Sequence, residues 1–398
     1  MKSSLKLIRI TTVPISLKVL LRKQLKFMTD HYEVIGVSSP GKELEEVAIH
    51  EGVRTAAVSM TRSITPIKDL KALWNLYRFF KKENPSVVHT HTPKAGLLGM
   101  MAARLAGVPV RLHTVAGMPL MESSGKKRKV LEMAEKMTYR CATKVYPNSR
   151  NLAEFILQNK FCSSEKIKVL GNGSSNGIDM DYFRENQALQ ADALDLREKA
   201  GINESDFVFV FIGRLVRDKG IEELVDAFNV LHQKYNNIKL LLVGPFEPEL
   251  DPISTRTQNI IEKDNNIIHF GFQHDVRPYY MISNALAFPS YREGFPNVPM
   301  QAGCFGLPSV VTDINGCNEI VEHEKNGLII PVKNSNALRE AMERLLTDKA
   351  LFLSLQQNSR KMIESRYEQK YFWNLLLEEY KSLTKTEPIV SKISEKAV

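Results

Sequence analysis

Two short stretches place charged side chains where the elements of a parallel α/β fold are expected to end. In "FVFVFIGRLVRDKG", residues 207–220, an apolar strand ends at Gly213, Arg214 follows at once, and Lys219 precedes a helical pattern. The amides and dipole at a helix N-terminus favour anions, Arg contacts phosphate in bidentate fashion, and Lys supplies a point charge. The spacing predicts a phosphate-binding site; the alternative is two exposed cations in a turn.

The second stretch, "SYREGFPNVPMQAG", residues 290–303, adds a carboxylate. Glu293 follows the predicted strand "ALAFPS". The backbone amides of residues 294–298, except at Pro296, which has no N–H, are expected near the start of the next helix. A carboxylate in that position can accept hydrogen bonds from sugar hydroxyls, or it can cap the helix. Gln301, eight positions on, is expected two turns away on about the same helix face, so that both side chains could contact one extended ligand.

Short apolar runs alternate with amphipathic segments along the whole chain of 398 residues. Alternation of this kind predicts parallel sheets with right-handed crossovers, and its two series predict two facing, doubly wound Rossmann-like domains with the ligand cleft between them. We place the first domain at 1–178, completed by a C-terminal helix at about 367–385, and the second at 179–366. Residues 386–398 are expected to form a disordered tail.

Composition narrows the functional classes. Residues 1–180 hold 29 Lys and Arg against 14 Asp and Glu, a formal charge of +15, whereas the remainder is −6. A basic half favours an anionic membrane surface or a phosphorylated substrate, and the lack of nucleic-acid-binding motifs argues against nucleic acid. The first glycine is Gly36, so the first βα turn lacks the G-x-G-x-x-G of an oxidoreductase. Four scattered cysteines and short N-terminal apolar stretches predict free thiols and a cytoplasmic location.

Histidines of the first half and one acidic pair are candidates for metal binding. His89 and His91 share a strand face, but neither carboxylate nor Cys lies close by in the sequence. We therefore expect His91 and Lys94 to face the acceptor side of the cleft, and His113 to be structural or to lie near the substrate. The "DMD" at 179–181 resembles a metal-binding Asp-x-Asp, although helix capping is the favoured interpretation.

Taken together, "GRLVRDKG" and "PSYREGFPNVPMQAGCFGLPSVVTDINGCNEIV" resemble the retaining family-4 glycosyltransferases of the two-Rossmann GT-B fold. "VVHTHTPKAGLLGMMAARLAGVP", "GNGSSNGID" and "ISLKVLLRKQLKFM" resemble the branch that builds bacterial capsule, O-antigen and other lipid-linked surface glycans. The resemblance covers roughly residues 5–380.

The resemblance implies roles for individual residues. Arg214 and Lys219 match the cations that hold the donor diphosphate, and Glu293 matches the first glutamate of the Glu-x7-Glu motif, which contacts the donor sugar. Gln301 stands where the second glutamate usually binds the ribose, and Ala116 stands where a histidine is common. The further positions that the resemblance implies are, on the donor side, Gly213, Gly294, Phe295, Pro296, Asn297, Phe272 and Gln273, and, on the acceptor side, Ser16, His91, Lys94 and His113.

The resemblance also implies a reaction. A retaining enzyme would move a sugar from a nucleotide-diphosphate donor, UDP-linked in our interpretation, to a polyprenyl-diphosphate-linked saccharide, without a cofactor or metal. Peripheral association with the anionic inner face of the plasma membrane is expected, with the helix at 126–140 and its "KKRK" as the contact. Two alternatives remain: a UDP-N-acetylhexosamine 2-epimerase of the same architecture, and a non-catalytic sugar-nucleotide-binding protein.

Overall fold

The computed structural model describes residues 5–249 and 251–384, which fall into two compact units. The first unit comprises 5–148, 153–171 and 370–384, and the second comprises 149–152 and 172–369. The predicted tail at 386–398 lies outside the described residues.

Twelve strands in the described residues form two six-stranded parallel sheets. The strands are β1 (Lys6–Ile10), β2 (Glu33–Ser38), β3 (Arg54–Ala57), β4 (Val87–His91), β5 (Val110–Val115), β6 (Lys144–Pro147), β7 (Phe207–Ile212), β8 (Ile238–Val243), β9 (Ile267–His269), β10 (Ala285–Phe288), β11 (Ser309–Thr312) and β12 (Gly327–Ile330). The first sheet has the order β3-β2-β1-β4-β5-β6, and the second has the order β9-β8-β7-β10-β11-β12. Each unit is therefore a doubly wound Rossmann-like domain, as the sequence predicts.

Helices connect the strands of both sheets. They are α1 (Pro14–Leu20), α2 (Gln24–Thr29), α3 (Lys42–Glu51), α4 (Pro66–Glu83), α5 (Pro93–Ala106), α6 (Gly125–Cys141), α7 (Arg150–Gln158), α8 (Gln187–Lys199), α9 (Ile221–His232), α10 (Thr255–Lys263), α11 (Arg277–Met281), α12 (Asn297–Cys304), α13 (Cys317–Ile320), α14 (Ser335–Thr347), α15 (Lys349–Tyr367) and α16 (Gln369–Thr384). Within residues 5–249 and 251–384, no helix is both long enough and apolar enough to span a bilayer.

The structure places the division between the units after Gly171, whereas the sequence analysis placed it after residue 178. The difference has a backbone cause. The Ile178 N–H donates to the Tyr367 carbonyl over 2.8 Å, and the Gln369 N–H donates to the Ile178 carbonyl over 3.0 Å. A Cβ on Gly177, whose φ is +66°, would lie 2.7 Å from the same Tyr367 oxygen. Ile178 is thus hydrogen-bonded to the end of α15 and the start of α16, and residues 172–178 belong to the second unit.

Burial in the cores of the two units explains why the apolar segments of the sequence form strands and helices. β7 is buried almost throughout, because its sheet is covered on both faces and a continuous apolar run satisfies both. α16 completes the core of the first unit with a face of large side chains: Phe372, Trp373, Leu376, Leu377 and Tyr380. Among the strands, β3 is the one that the sequence does not indicate: it is a short edge strand, and its residues "RTAA" show neither an apolar run nor alternation.

In both sheets the strand order reverses between two neighbouring strands, β1 and β4 in the first unit and β7 and β10 in the second. Loops that leave the carboxyl ends of such a pair diverge and create a crevice at the sheet edge, where open α/β sheets bind their ligands. The loops after β7 and β10 carry Arg214, Lys219 and Glu293.

Candidate functional site

A glycine allows the loop after β7 to pack closely against the loop after β10. A 3₁₀ turn at Arg217–Lys219 ends at Gly220, whose φ is +71°. A Cβ on Gly220 would lie only 2.1 Å from the Pro289 carbonyl oxygen. Only glycine fits this approach without displacement, because the positive φ and the contact both exclude a side chain. The close approach fixes Lys219 beside the start of the second loop.

The second loop is anchored to the first by Asp218. The Tyr291 N–H donates to the Asp218 carbonyl over 2.8 Å, and the Arg292 guanidinium donates to the Asp218 carboxylate over 2.7 Å. Arg292 is thus engaged in holding the two loops together, and the adjacent Glu293 is the side chain that remains to meet Lys219.

Lys219 and Glu293 form an ion pair: the Lys219 Nζ donates to the Glu293 Oε1. Their side chains are only 16% and 15% exposed, and the Lys219 Nζ lies 5.9 Å from the centre of the Phe288 ring. Beneath the pair, burial and then the Glu293 carboxylate raise the pKa of the Cys317 thiol well above its ordinary value. The pair is therefore a pre-positioned cation and carboxylate in a poorly solvated place at the sheet's reversal point.

The backbone at Glu293 is held by a residue that the sequence analysis did not identify. The Asn315 side-chain amide donates to the carbonyls of Glu293 and Gly294, and its Oδ1 accepts from the Ser149 hydroxyl over 2.7 Å. Gly316, at φ +77°, leaves no room for a Cβ, which would lie 2.6 Å from the Gly294 oxygen. The Asn-Gly dipeptide at 315–316, which is typical of tight turns, was the available signal.

The alternative that Glu293 caps the following helix is wrong, and so is the shared helix face with Gln301. α12 begins at Asn297 with Pro296 at the N-cap position and no side-chain cap. Glu293 lies outside that helix, so the helical repeat does not relate it to Gln301. The Gln301 Oε1 instead accepts a hydrogen bond of 3.0 Å from the buried hydroxyl of Tyr280.

The remaining donor-side candidates of the second unit lie on three loops. Arg214 is half-exposed, and its guanidinium pairs with Glu247 over 2.9 Å. Phe272 is exposed in the loop after β9, and the Gln273 side-chain amide donates to the Phe270 carbonyl over 2.7 Å. Phe295 and Pro296 pack into the loop before α12, with the Phe295 ring 5.6 Å from that of Tyr367.

The structure places two first-unit histidines inside the domain, which corrects the acceptor-side expectation for His91 and favours the structural alternative for His113. His91 is buried, with its Nε2 2.9 Å from the Arg9 guanidinium, so it cannot face an acceptor. His113 is also buried, its Nδ1 lies 2.8 Å from the Thr90 hydroxyl, and burial lowers its pKa to about 4. Strand sides alternate, and these positions point into the domain.

Lys94 and Ser16 lie at the reversal point of the first sheet. The Lys94 Nζ pairs with Asp69 over 2.5 Å and is largely buried, while Ser16 lies in the first turn of α1. The loops that carry them include a feature that the sequence analysis missed. Thr92 has a φ of +72°, which is strained for a β-branched residue, and its hydroxyl lies 2.8 Å from that of Thr12.

The predicted cap at Asp179 closes a turn instead. The Asp179 carboxylate accepts from the Tyr182 N–H over 3.0 Å, but the next helix, α8, begins later and is capped by Asn186. Among the residues that the structure describes, no three His, Cys, Asp or Glu side chains are grouped in a way that could hold a metal ion.

Comparison with known proteins identifies the family of the chain. The family model "Glycosyl transferase 4-like domain" matches residues 28–173, and "Glycosyl transferases group 1" matches residues 192–362. The chain is 33% identical over 382 residues to the capsular polysaccharide biosynthesis glycosyltransferase CapM of Staphylococcus aureus, covering 96% of this chain and 98% of the relative. The chain belongs to the glycosyltransferase family that these two models and CapM represent. It is therefore a glycosyltransferase, which sets aside the epimerase and the non-catalytic alternatives.

Other relatives of this glycosyltransferase and solved structures extend the comparison. This chain is 30% identical over 311 residues to the UDP-Gal:alpha-D-GlcNAc-diphosphoundecaprenol alpha-1,3-galactosyltransferase of Escherichia coli, with 77% of each chain covered. The crystal structure of Anabaena HepE in complex with UDP matches with a TM-score of 0.80 at 19% identity, covering 95% of this chain and 100% of that one. The structural likeness confirms the GT-B type of fold, with two Rossmann-like domains.

Proposed function

We propose that this glycosyltransferase moves a sugar, with retention of anomeric configuration, from a UDP-sugar to a polyprenyl-diphosphate-linked saccharide during surface-polysaccharide synthesis. The observation that carries the proposal is the Lys219–Glu293 pair at the reversal point of the second sheet. A cation and a carboxylate side by side fit a ligand that carries a diphosphate next to a sugar ring. The activities for which the S. aureus and E. coli relatives are named support the pathway class and the diphosphate-linked lipid acceptor.

The chemistry we assign is mainly charge stabilisation. As the anomeric C–O bond breaks, negative charge grows on the departing UDP, and Lys219, Arg214 and the amides before α12 would stabilise it. Glu293 would hold hydroxyls of the oxocarbenium-like sugar. The acceptor hydroxyl would attack from the face that UDP leaves, and an oxygen of the diphosphate would take its proton. This assignment needs neither a protein base nor a metal ion.

Donor binding would rearrange two ion pairs. The Lys219 Nζ is bonded to Glu293 and the Arg214 guanidinium to Glu247, so the donor diphosphate would compete with carboxylates for both cations. Charge-assisted bonds to phosphate are strong enough to do this, and the exposed Arg214–Glu247 pair is weak in water. Glu293, released from Lys219, would then be available to the sugar.

We also propose that the enzyme works at the cytoplasmic face of an anionic membrane and contacts it through α6. Of the acids of α6, Glu132 pairs with Arg128 over 3.0 Å and Glu135 is buried. Its exposed face combines cations with apolar side chains: Lys126, Lys129, Val130, Met133, Lys136, Met137 and Arg140. Basic and apolar residues on one exposed helix face favour binding at an anionic lipid surface.

The test is a panel of UDP- and GDP-sugars, assayed for nucleotide release with and without a polyprenyl-diphosphate-linked saccharide. The proposal predicts lipid-dependent release of UDP from one donor and an α linkage in the product when the donor linkage is α. Release from a GDP-sugar alone would refute the UDP assignment, and a product with inverted configuration would refute retention.

A further inference from the structure

Helix α4 of the first unit exposes a row of large apolar side chains. Ile67, Leu70 and Trp74 are 87%, 68% and 58% exposed, and Ile64, just before the helix, is exposed as well. Their spacing of three and four residues puts the three helical positions on one face. Ala72, Leu76 and Phe80 form the opposite, buried face. The exposed row is therefore additional to the face with which α4 packs into its domain.

Aromatic character strengthens this row. The Trp74 ring stacks on that of Tyr77 at a centroid distance of 5.4 Å and an interplanar angle of 28°. Trp and Tyr are enriched at the interface between membrane and water, because each has an apolar body and a polar tip. A stacked Trp–Tyr pair beside exposed Ile and Leu is suited to the boundary between lipid headgroups and acyl chains.

The charges of α4 are sorted by face. Both acidic side chains of the helix are paired within the domain: Asp69 accepts from Lys94 over 2.5 Å, and Glu83 accepts from Lys6 and Arg54 over 2.7 and 2.6 Å. The exposed side chains of α4 that carry charge are all cations: Lys68, Lys71, Arg78, Lys81 and Lys82. The apolar row thus has a positive border with no exposed acid of its own helix.

We infer that α4 is a membrane-docking helix, whose Ile67–Leu70–Trp74 row enters the headgroup region of an anionic bilayer while its lysines and arginine contact lipid phosphates. An anionic lipid surface complements these cations. A second copy of the chain would bring the same positive charge against them, so charge favours the membrane as the partner of this row. α5 packs against both α4 and α6, so the two exposed rows belong to one helix layer of the first unit. The inference rests on the proposed function in one respect: a lipid-linked acceptor gives the enzyme a reason to reach the membrane.

The chain carries its own reporter for the test. It contains two tryptophans, and Trp373 is buried in the core of the first unit, only 6% exposed. Addition of vesicles of equal parts phosphatidylcholine and phosphatidylglycerol should shift Trp74 emission to shorter wavelength, and brominated lipid should quench it. Pure phosphatidylcholine vesicles should give a much weaker effect. No spectral change with the anionic vesicles would overturn the inference.

Variants separate the apolar row from the charge. Ile67→Asn with Leu70→Asn keeps Trp74 and should weaken vesicle binding in flotation at least about tenfold. Ile49→Asn, at an equally exposed position on α3, is the matched control and should bind like the wild type. Replacing Lys71, Arg78 and Lys81 by Gln should cost about fivefold in binding per cation. Equal binding by the double variant and the Ile49 control would refute the inference.

Failure of the docking surface and failure of the proposed function can be told apart. The double variant should keep UDP binding and transfer to acceptor dispersed in detergent, but lose transfer to acceptor in vesicles. Loss of transfer in detergent would contradict a docking role for the row. A wild-type dimer that the double variant abolishes would assign the row to a second copy and overturn membrane docking. Vesicle binding without any transfer would refute the proposed function and leave the docking surface intact.

Discussion

Removing the Lys219 ammonium tests both the local energetics and the chemistry of the site. Loss of one partner of a fully buried ion pair costs about 3–5 kcal/mol. Because the Lys219 and Glu293 side chains keep 16% and 15% of their exposure, we expect Lys219→Met to lower the free energy of unfolding of the second unit by about 2 kcal/mol. The uncompensated Glu293 carboxylate is the main cause. Independently of stability, loss of the Lys219 ammonium as a donor to the leaving diphosphate should lower kcat about 10²–10³-fold.

A double variant separates the two effects. In Lys219→Met with Glu293→Gln, no buried charge is left unpaired, so most of the lost stability should return while turnover stays low. Lys234→Met with Glu343→Gln removes an exposed pair in the same unit and is the matched control. This control should change the free energy of unfolding by less than about 1 kcal/mol and leave kcat unchanged.

The unfolding measurement must detect the loss of structure in the second unit, where Lys219 and Glu293 lie. Both tryptophans lie in the first unit, so unfolding in urea is followed by far-UV circular dichroism, and turnover is followed by UDP release. Recovery of activity along with stability in the double variant would show that Lys219 acts only through the fold. Wild-type turnover in Lys219→Met would refute its assignment to the leaving group.

Three further predictions concern individual positions. Gln301→Glu should tighten UDP binding about fivefold in calorimetry, because a charged acceptor strengthens a hydrogen bond by about 1 kcal/mol; unchanged affinity would contradict the ribose assignment. Gly220→Ala should lower the free energy of unfolding by more than about 1 kcal/mol and weaken UDP binding, because its Cβ would meet the Pro289 oxygen. Gly201→Ala, which has the same sign of φ but open space around it, should affect stability alone, and equal UDP affinity in both variants would contradict the steric argument. Burial holds the pKa of His113 at about 4, below its ordinary 6.5, so the folded state excludes a proton that the unfolded chain binds. The resulting stability is complete above pH 6.5 and should fall by about 3 kcal/mol as the pH drops towards 4, as urea titrations at several pH values would show; a flat profile would contradict the burial.

Much of the fold follows from the sequence because both sheets are parallel and covered. Their strands are continuous apolar runs, and alternation with helices fixes the doubly wound topology. β3 was missed because an edge strand of four mixed residues carries no such run. The boundary at residue 178 was misplaced because the backbone bonds of Ile178 to Tyr367 and Gln369 join positions far apart in the chain.

The site was predictable to the extent that strand ends determine it. The strand ends at Gly213 and "ALAFPS" were enough to bring Lys219 and Glu293 to one sheet edge. Their direct pairing depends on the approach of Gly220 to Pro289, which no local pattern reveals. His91 was misplaced because its partner, the buried Arg9, comes from a neighbouring strand.

The most direct measurement of the central claim is a crystal structure of the enzyme with UDP. The account predicts a β-phosphate oxygen within hydrogen-bonding distance of the Lys219 Nζ and the Arg214 guanidinium, with Glu293 no longer bonded to Lys219. A diphosphate bound away from both cations, with the Lys219–Glu293 pair intact, would contradict it.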